Sequence, residues 1–271
     1  MKLTENGEKN RKASGELHEM LLLRYEPIAV KLVECGDDVP EGAIKPRRDL
    51  GKHLALCQAF ALTRREKKTI FMEKDDHWCW NPLIGFGLVE CSPGTESFEI
   101  VCRHLGINDI DAARSFFAKF PRLPSGRCIG IVIAPLRSAG FEPDLVLIYS
   151  NNAQLRSMVW AVKRQTGRLI GTQLDAIDSC VYACIPPLTS GEYCVTLPDV
   201  GEHERAMAGE DEIILSVPRG RLGELIDGLR AFYERGMGYP HHSRDMFYDF
   251  PRPEFYNELF EIWGLDQGEQ R

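Results

Sequence analysis

Four short aliphatic runs constrain this chain most. PIAVKLV (27–33), RCIGIVIAPL (127–136), DLVLIYS (144–150) and EIILSVP (212–218) are each bounded by proline or polar breakers. Runs this short, rich in Val, Ile and Leu, read as strands buried in a sheet rather than as helices. The buried spans are expected over Ile28–Val33, Ile129–Ala134, Leu145–Tyr149 and Ile213–Val217. Segments of helical period separate them. After a polar leader to Lys12, Leu17, Met20, Leu21 and Arg24 form a stripe that must stop before Pro27. Leu54, Cys57, Phe60 and Ala61 form a second stripe, closed by the basic RREKK as a helix C-terminus favours. Further helices are expected around Phe98–Leu105, Ile110–Phe120, Leu155–Val162 and Leu222–Phe232. Thr69–Met72 and Leu169–Ile170 read as short additional strands, and Cys79 and Cys180 fall in loops. The fold class is therefore α/β, in the mixed α+β sense.

The order repeats. Strand, helix, strand, cysteine loop and strand occur once around PIAVKLV, the Cys57 helix, TIFM, Cys79 and IGIVIAP. They occur again around PDLVLIY, the Leu155 helix, RLIG, Cys180 and IILSVP. A diverged internal duplication is expected, with two strand-helix-strand repeats related by a pseudo-twofold axis and the two cysteine loops facing one site. The segments are a leader and helix (1–26), a first half (27–142), a second half (143–236) and an aromatic C-terminal extension (237–271). Phe247, Tyr248, Phe250, Phe255, Tyr256, Phe260 and Trp263 make that extension too apolar to stand in water, so a homo-oligomer is expected.

A net charge of -7 without a basic run argues against a nucleic-acid partner. No segment approaches the roughly 18–20 apolar residues of a membrane span, and the first ten residues lack a signal-peptide core, so a cytoplasmic protein is expected. The nine cysteines are an odd number, and no Asn-x-Ser/Thr acceptor occurs. Such cysteines are expected to be thiols, metal ligands or catalytic groups, several simply buried in the core.

Several separated motifs occur in one order: PIAVKL, Cys57-Gln58 before a basic helix end, the acidic loop before Cys79, EPDLVLIYSNNAQ, Cys180, Cys194 and DEIILSVPRGRLGELIDGL. From about Met20 to Gly236 the chain resembles the family known as domain of unknown function 169. The resemblance implies no activity. It does single out Cys57, Cys79, Cys180 and Cys194 as matching family cysteines, whereas Cys35, Cys91, Cys102, Cys128 and Cys184 look particular to this sequence. The aromatic tail and the His241-His242 pair depart from the family pattern.

Four thiolates form the ligand set of an iron-sulfur cluster, and soft sulfur donors select such centres. Cys57, Cys79, Cys180 and Cys194 are therefore expected to converge on one, although no local CxxC spacing marks them. A zinc set of His53, Cys57, His77 and Cys79 competes with this reading. A Cys180/Cys184 dithiol competes less well, because Pro186-Pro187 is expected to hold that backbone extended. Each cysteine can equally be a small buried hydrophobe. Trp78 and Trp80 flank Cys79 and suit the floor of a pocket for a planar ligand. Asn151, Asn152 and Gln154 stand where a strand passes into a helix, a place that suits ligand binding, or else a helix cap. Arg47 and Arg48 are weaker anion contacts. Walker, GxGxxG, GxSxG and HExxH signatures are absent. The expectation is a cytoplasmic metalloprotein or redox enzyme acting on a small molecule through an iron-sulfur cluster. The alternative is a non-catalytic binder of a small molecule or cofactor, with regulation as one role open to it.

Overall fold

The computed structural model describes residues 4–34, 39–172, 174–240 and 253–265. Cys35, His241, His242, Phe247, Tyr248 and Phe250 lie outside the described residues. The chain divides into two units, Met1–Pro240 and His241–Arg271.

The first unit is built on one six-stranded antiparallel sheet, in the order β2-β3-β1-β4-β6-β5. Its strands are β1 (Ile28–Val33), β2 (Ile70–Glu73), β3 (Gly130–Pro135), β4 (Leu145–Ser150), β5 (Cys194–Thr196) and β6 (Ile213–Pro218). The four aliphatic runs supply β1, β3, β4 and β6, the inner strands, where both faces of a strand are covered. β1 meets β4 with Ile28 opposite Leu147.

Alternation along each strand sends residues to two cores. Ile28, Val30, Leu145 and Leu147 face one core, and Ala29, Val146 and Ile148 face the other. The first core is closed by α2 (Leu56–Glu66), α3 (Trp80–Gly85), α4 (Glu96–His104), α5 (Ile110–Ala118) and α7 (Ser179–Ser190). The second is closed by α1 (Glu5–Leu21), α6 (Asn152–Thr166) and α9 (Leu222–Tyr233). α8 (Val200–Ala206) packs beside α2, where Ala206 meets Ala55 and Cys57.

Several expectations need correction. The leader is helical from Glu5, because Thr4 caps the Gly7 N–H at 3.1 Å. Leu169–Ile170 forms no strand, and Leu169 is 90% exposed; β5 is the edge strand instead. Ile129 lies just outside β3 and is exposed. Cys180 sits in the first turn of α7 rather than in a loop, and α7 runs through Pro186 and Pro187.

The prolines remove the N–H groups that would bond the carbonyls of Tyr182 and Ala183. Both carbonyls find donors on the sheet: Cys194 Sγ reaches the Tyr182 oxygen at 3.7 Å, and Ser216 Oγ donates to the Ala183 oxygen at 2.7 Å. Side chains of β5 and β6 thus carry the helix across a point where the sequence suggests a break.

The second unit is described by helix α10 (Glu254–Ile262), with no buried residue. Its rings run along one another, Phe255 to Tyr256 at 4.7 Å and Phe260 to Trp263 at 6.1 Å between centroids.

Candidate functional site

Three helix starts surround one cavity of about 590 Å³. Cys57 lies in the first turn of α2, Cys79 is the N-cap residue of α3, and Cys180 lies in the first turn of α7. All three border the cavity, with Trp78, Trp80, Asp178, Asp199 and Arg205. Cys57 and Cys79 also share a small apolar cluster with Ala55, Ala61 and Ala206. Cys57 Sγ is directed to the Gly201 carbonyl at 3.8 Å.

Asp199 fixes one of these helix starts, that of α7, together with the start of α8. Its Oδ2 accepts from the Ser179 N–H and its Oδ1 from the Glu202 N–H, each at 2.9 Å, so one carboxylate caps α8 and holds the start of α7. Behind it lies a fully buried polar group. Glu202 accepts from the Tyr149 hydroxyl at 2.8 Å and from the Ser179 hydroxyl at 3.1 Å. The Arg64 guanidinium stands 4.1 Å from the Tyr149 ring centroid and pairs with Glu212 at 2.7 and 3.0 Å.

Burial governs the electrostatics. It pushes the Cys57 thiol up to about 12, with the carboxylates of Glu202 and Asp199 adding to the shift and Arg205 opposing it. It also raises Cys79 and lifts Cys180 well above the ordinary thiol value. Burial raises Asp178 to about 7 against a hydrogen bond from Asn81, and Glu202 to about 7 against the Tyr149 hydroxyl. The three thiols are accordingly protonated at neutral pH until a positive centre displaces their protons.

The expected site residues part company here. Trp78 and Trp80 border the thiol cavity, both partly exposed, with Trp80 edge-on to Phe117 at 5.9 Å. Cys194 lines a different cavity of about 790 Å³, together with Tyr182, Tyr193 and Arg221. Cys184 is buried in the core. Asn151 caps α6 through the Gln154 N–H, and Gln154 returns the bond to the Asn151 N–H while its Nε2 donates to the Leu21 carbonyl at 2.8 Å. Those two side chains therefore serve as a capping box and a tie to the end of α1, and Asn152 is exposed beside them.

Arg48 pairs with the neighbouring Asp49, and the Arg47 backbone N–H donates to Asp76. The zinc set is not assembled: His53 is exposed, and His77 is buried with neither ring nitrogen bonded and its pKa lowered by burial to about 4. Among the described residues no three His, Cys, Asp or Glu side chains are arranged to hold a single metal ion. Cys57, Cys79 and Cys180 border the one cavity from separate elements.

Asp199, Glu202 and Arg205 were not anticipated. They come from α8, a seven-residue helix whose polar sequence GEHERA shows no apolar run. The available signal was Asp199 followed three residues later by Glu202, a capping pattern.

Among the described residues no helix is long and apolar enough to cross a membrane. The DUF169 family, described as uncharacterised ArCR, matches residues 16–228. An uncharacterized protein of Methanocaldococcus jannaschii, MJ0308, is 22% identical over 224 residues, covering 82% of this chain and 94% of that protein. No solved structure matches the chain. The match across most of its length establishes that the chain belongs to the DUF169 family.

Proposed function

We propose that this chain is a cytoplasmic metalloprotein or redox enzyme acting on a small molecule, with Cys57, Cys79 and Cys180 holding an iron-sulfur cluster. One observation carries the reading: three cysteines far apart in sequence border one cavity at the starts of three helices. Helix starts favour the net negative charge of a thiolate-bound cluster. Such a group supplies electron transfer, or an open iron site where three thiolates leave one position free. The protein's part is to deliver the three sulfurs from separate elements and to keep them protonated until the centre arrives. Cys194, on the other cavity and directed to the Tyr182 carbonyl, is left out of the ligand set.

Anaerobic reconstitution with iron and sulfide, followed by iron and sulfide analysis, tests this. Cys57→Ser, Cys79→Ser and Cys180→Ser should each lose iron, while Cys194→Ser and Cys184→Ser retain it. A wild-type chain that takes up no iron refutes the cluster. In that event the second reading takes over, a metal-free pocket for a small organic molecule, favoured by Trp78, Trp80 and thiols that burial holds neutral.

We also propose a duplicated origin for the sheet. Its order reads the same from either edge when β1, β2 and β3 are matched to β4, β5 and β6. The helices do not follow, since α2 closes one core and α6 the other. A homo-oligomer held by the aromatic extension completes the proposal, and truncation before Gly238 should then give monomers by light scattering.

A further inference from the structure

The polar capacity left over in the thiol cavity is unevenly distributed. Asp199 spends both oxygens on backbone N–H groups, Asp178 accepts from Asn81, and Asp175 accepts from the Ile177 N–H at 3.1 Å. Arg205 is the one bordering side chain with a permanent positive charge, and its guanidinium takes no hydrogen bond or ion pair among the described residues. It is nonetheless held in place. The guanidinium lies over the Trp78 ring, 4.9 Å from its centroid. It also folds back across the start of α8, so close to Gly201 that a Cβ there would stand 2.6 Å from its Nη2. An oriented guanidinium with unspent donors, beside an Asp199 carboxylate whose two oxygens are both engaged, recognises an added acceptor rather than a cation.

We propose that Arg205 anchors the anionic group, carboxylate or phosphate, of a small molecule held in the thiol cavity, with the rest of that molecule against Leu105, Ile107 and Phe116. This deepens the ligand-cavity reading above and does not require the cluster. Gly201 is the residue that permits the arrangement, since any side chain there displaces the guanidinium.

Isothermal titration of the full chain with benzoate, and separately with inorganic phosphate, tests the proposal and tells the two head groups apart. At least one probe should saturate, and Arg205→Gln should weaken it about tenfold or more with the melting temperature unchanged, as loss of a charged hydrogen bond requires. Arg205→Lys should retain phosphate better than benzoate, because it keeps the charge and loses the planar fork. Failure of both probes to saturate the wild type, or undiminished binding by Arg205→Gln, overturns the proposal. Iron retention separates the two readings. A chain that takes up iron yet binds neither probe loses the anion site alone. A chain without iron that binds anions through Arg205 loses the cluster alone.

Discussion

The passage of α7 through Pro186-Pro187 rests on two borrowed donors, and removing the stronger one has a definite consequence. Ser216 is fully buried, and its hydroxyl donates at 2.7 Å to the Ala183 carbonyl, whose helical partner would be the N–H that Pro187 lacks. Ser216→Ala leaves that carbonyl buried without a donor, which costs about 1–3 kcal/mol. In a Pro187→Ala background the new N–H can bond the carbonyl, and the same Ser216→Ala change should then cost less than about 0.5 kcal/mol. The coupling expected from the double-mutant cycle is about 1–2 kcal/mol, well outside the additivity seen for independent sites. Urea unfolding of the four proteins at equal slope measures it. Equal losses in both backgrounds would show that Ser216 stabilises the core in some other way, and the account of the proline passage would fall.

Three further outcomes follow from buried contacts. Glu212→Gln should destabilise by about 3–5 kcal/mol, because it leaves the Arg64 guanidinium, 1% exposed, without its carboxylate; a loss under ~1 kcal/mol in denaturant titration counts against that. Burial alone would raise the Glu26 pKa, but hydrogen bonds from His18, Ser14 and the Arg137 N–H outweigh it and hold the carboxyl below its ordinary value. Its contribution is therefore complete above the unfolded glutamate pKa and is lost as pH falls through the lowered folded one, so the stability gap between wild type and Glu26→Gln should close in acid. Gly228→Ala should cost about 1–3 kcal/mol by calorimetry, since its Cβ would stand 2.6 Å from the Ala161 carbonyl where α9 crosses α6.

The inner strands were legible because each is an uninterrupted aliphatic run, and such runs have few alternatives to a covered sheet. β5 was not, being only Cys-Val-Thr, while Leu169-Ile170 offered the same weak signal and went to the surface. RREKK was read only as a helix end, yet Arg64 within it is buried against Glu212, 148 residues away, a distance over which local pattern carries no information. Proline in α7 was read by its local rule, which holds only while the freed carbonyls lack other donors. Cys57, Cys79 and Cys180 were singled out by resemblance, and their meeting at one cavity depends on α8, whose polar sequence gave little sign of a structural role.

α7 is held at both of its ends. Its proline end is tied to the sheet by Cys194 and Ser216, and its cysteine end is tied to α8 through Asp199 and Ser179. Cys180 is thus placed from both ends of one helix. A helix anchored only at its first turn would let that thiol swing with the frayed remainder. Anchoring the far end to inner strand β6 lends it the sheet's rigidity instead, and a thiol held so firmly suits a centre that tolerates little displacement of its ligands. In Ser216→Ala, then, the Cys180 thiol should react faster with a disulfide reagent while the Cys128 thiol, buried in the same core but off α7, does not. Parallel acceleration of both would mean the whole core had loosened, and the helix would not be the link.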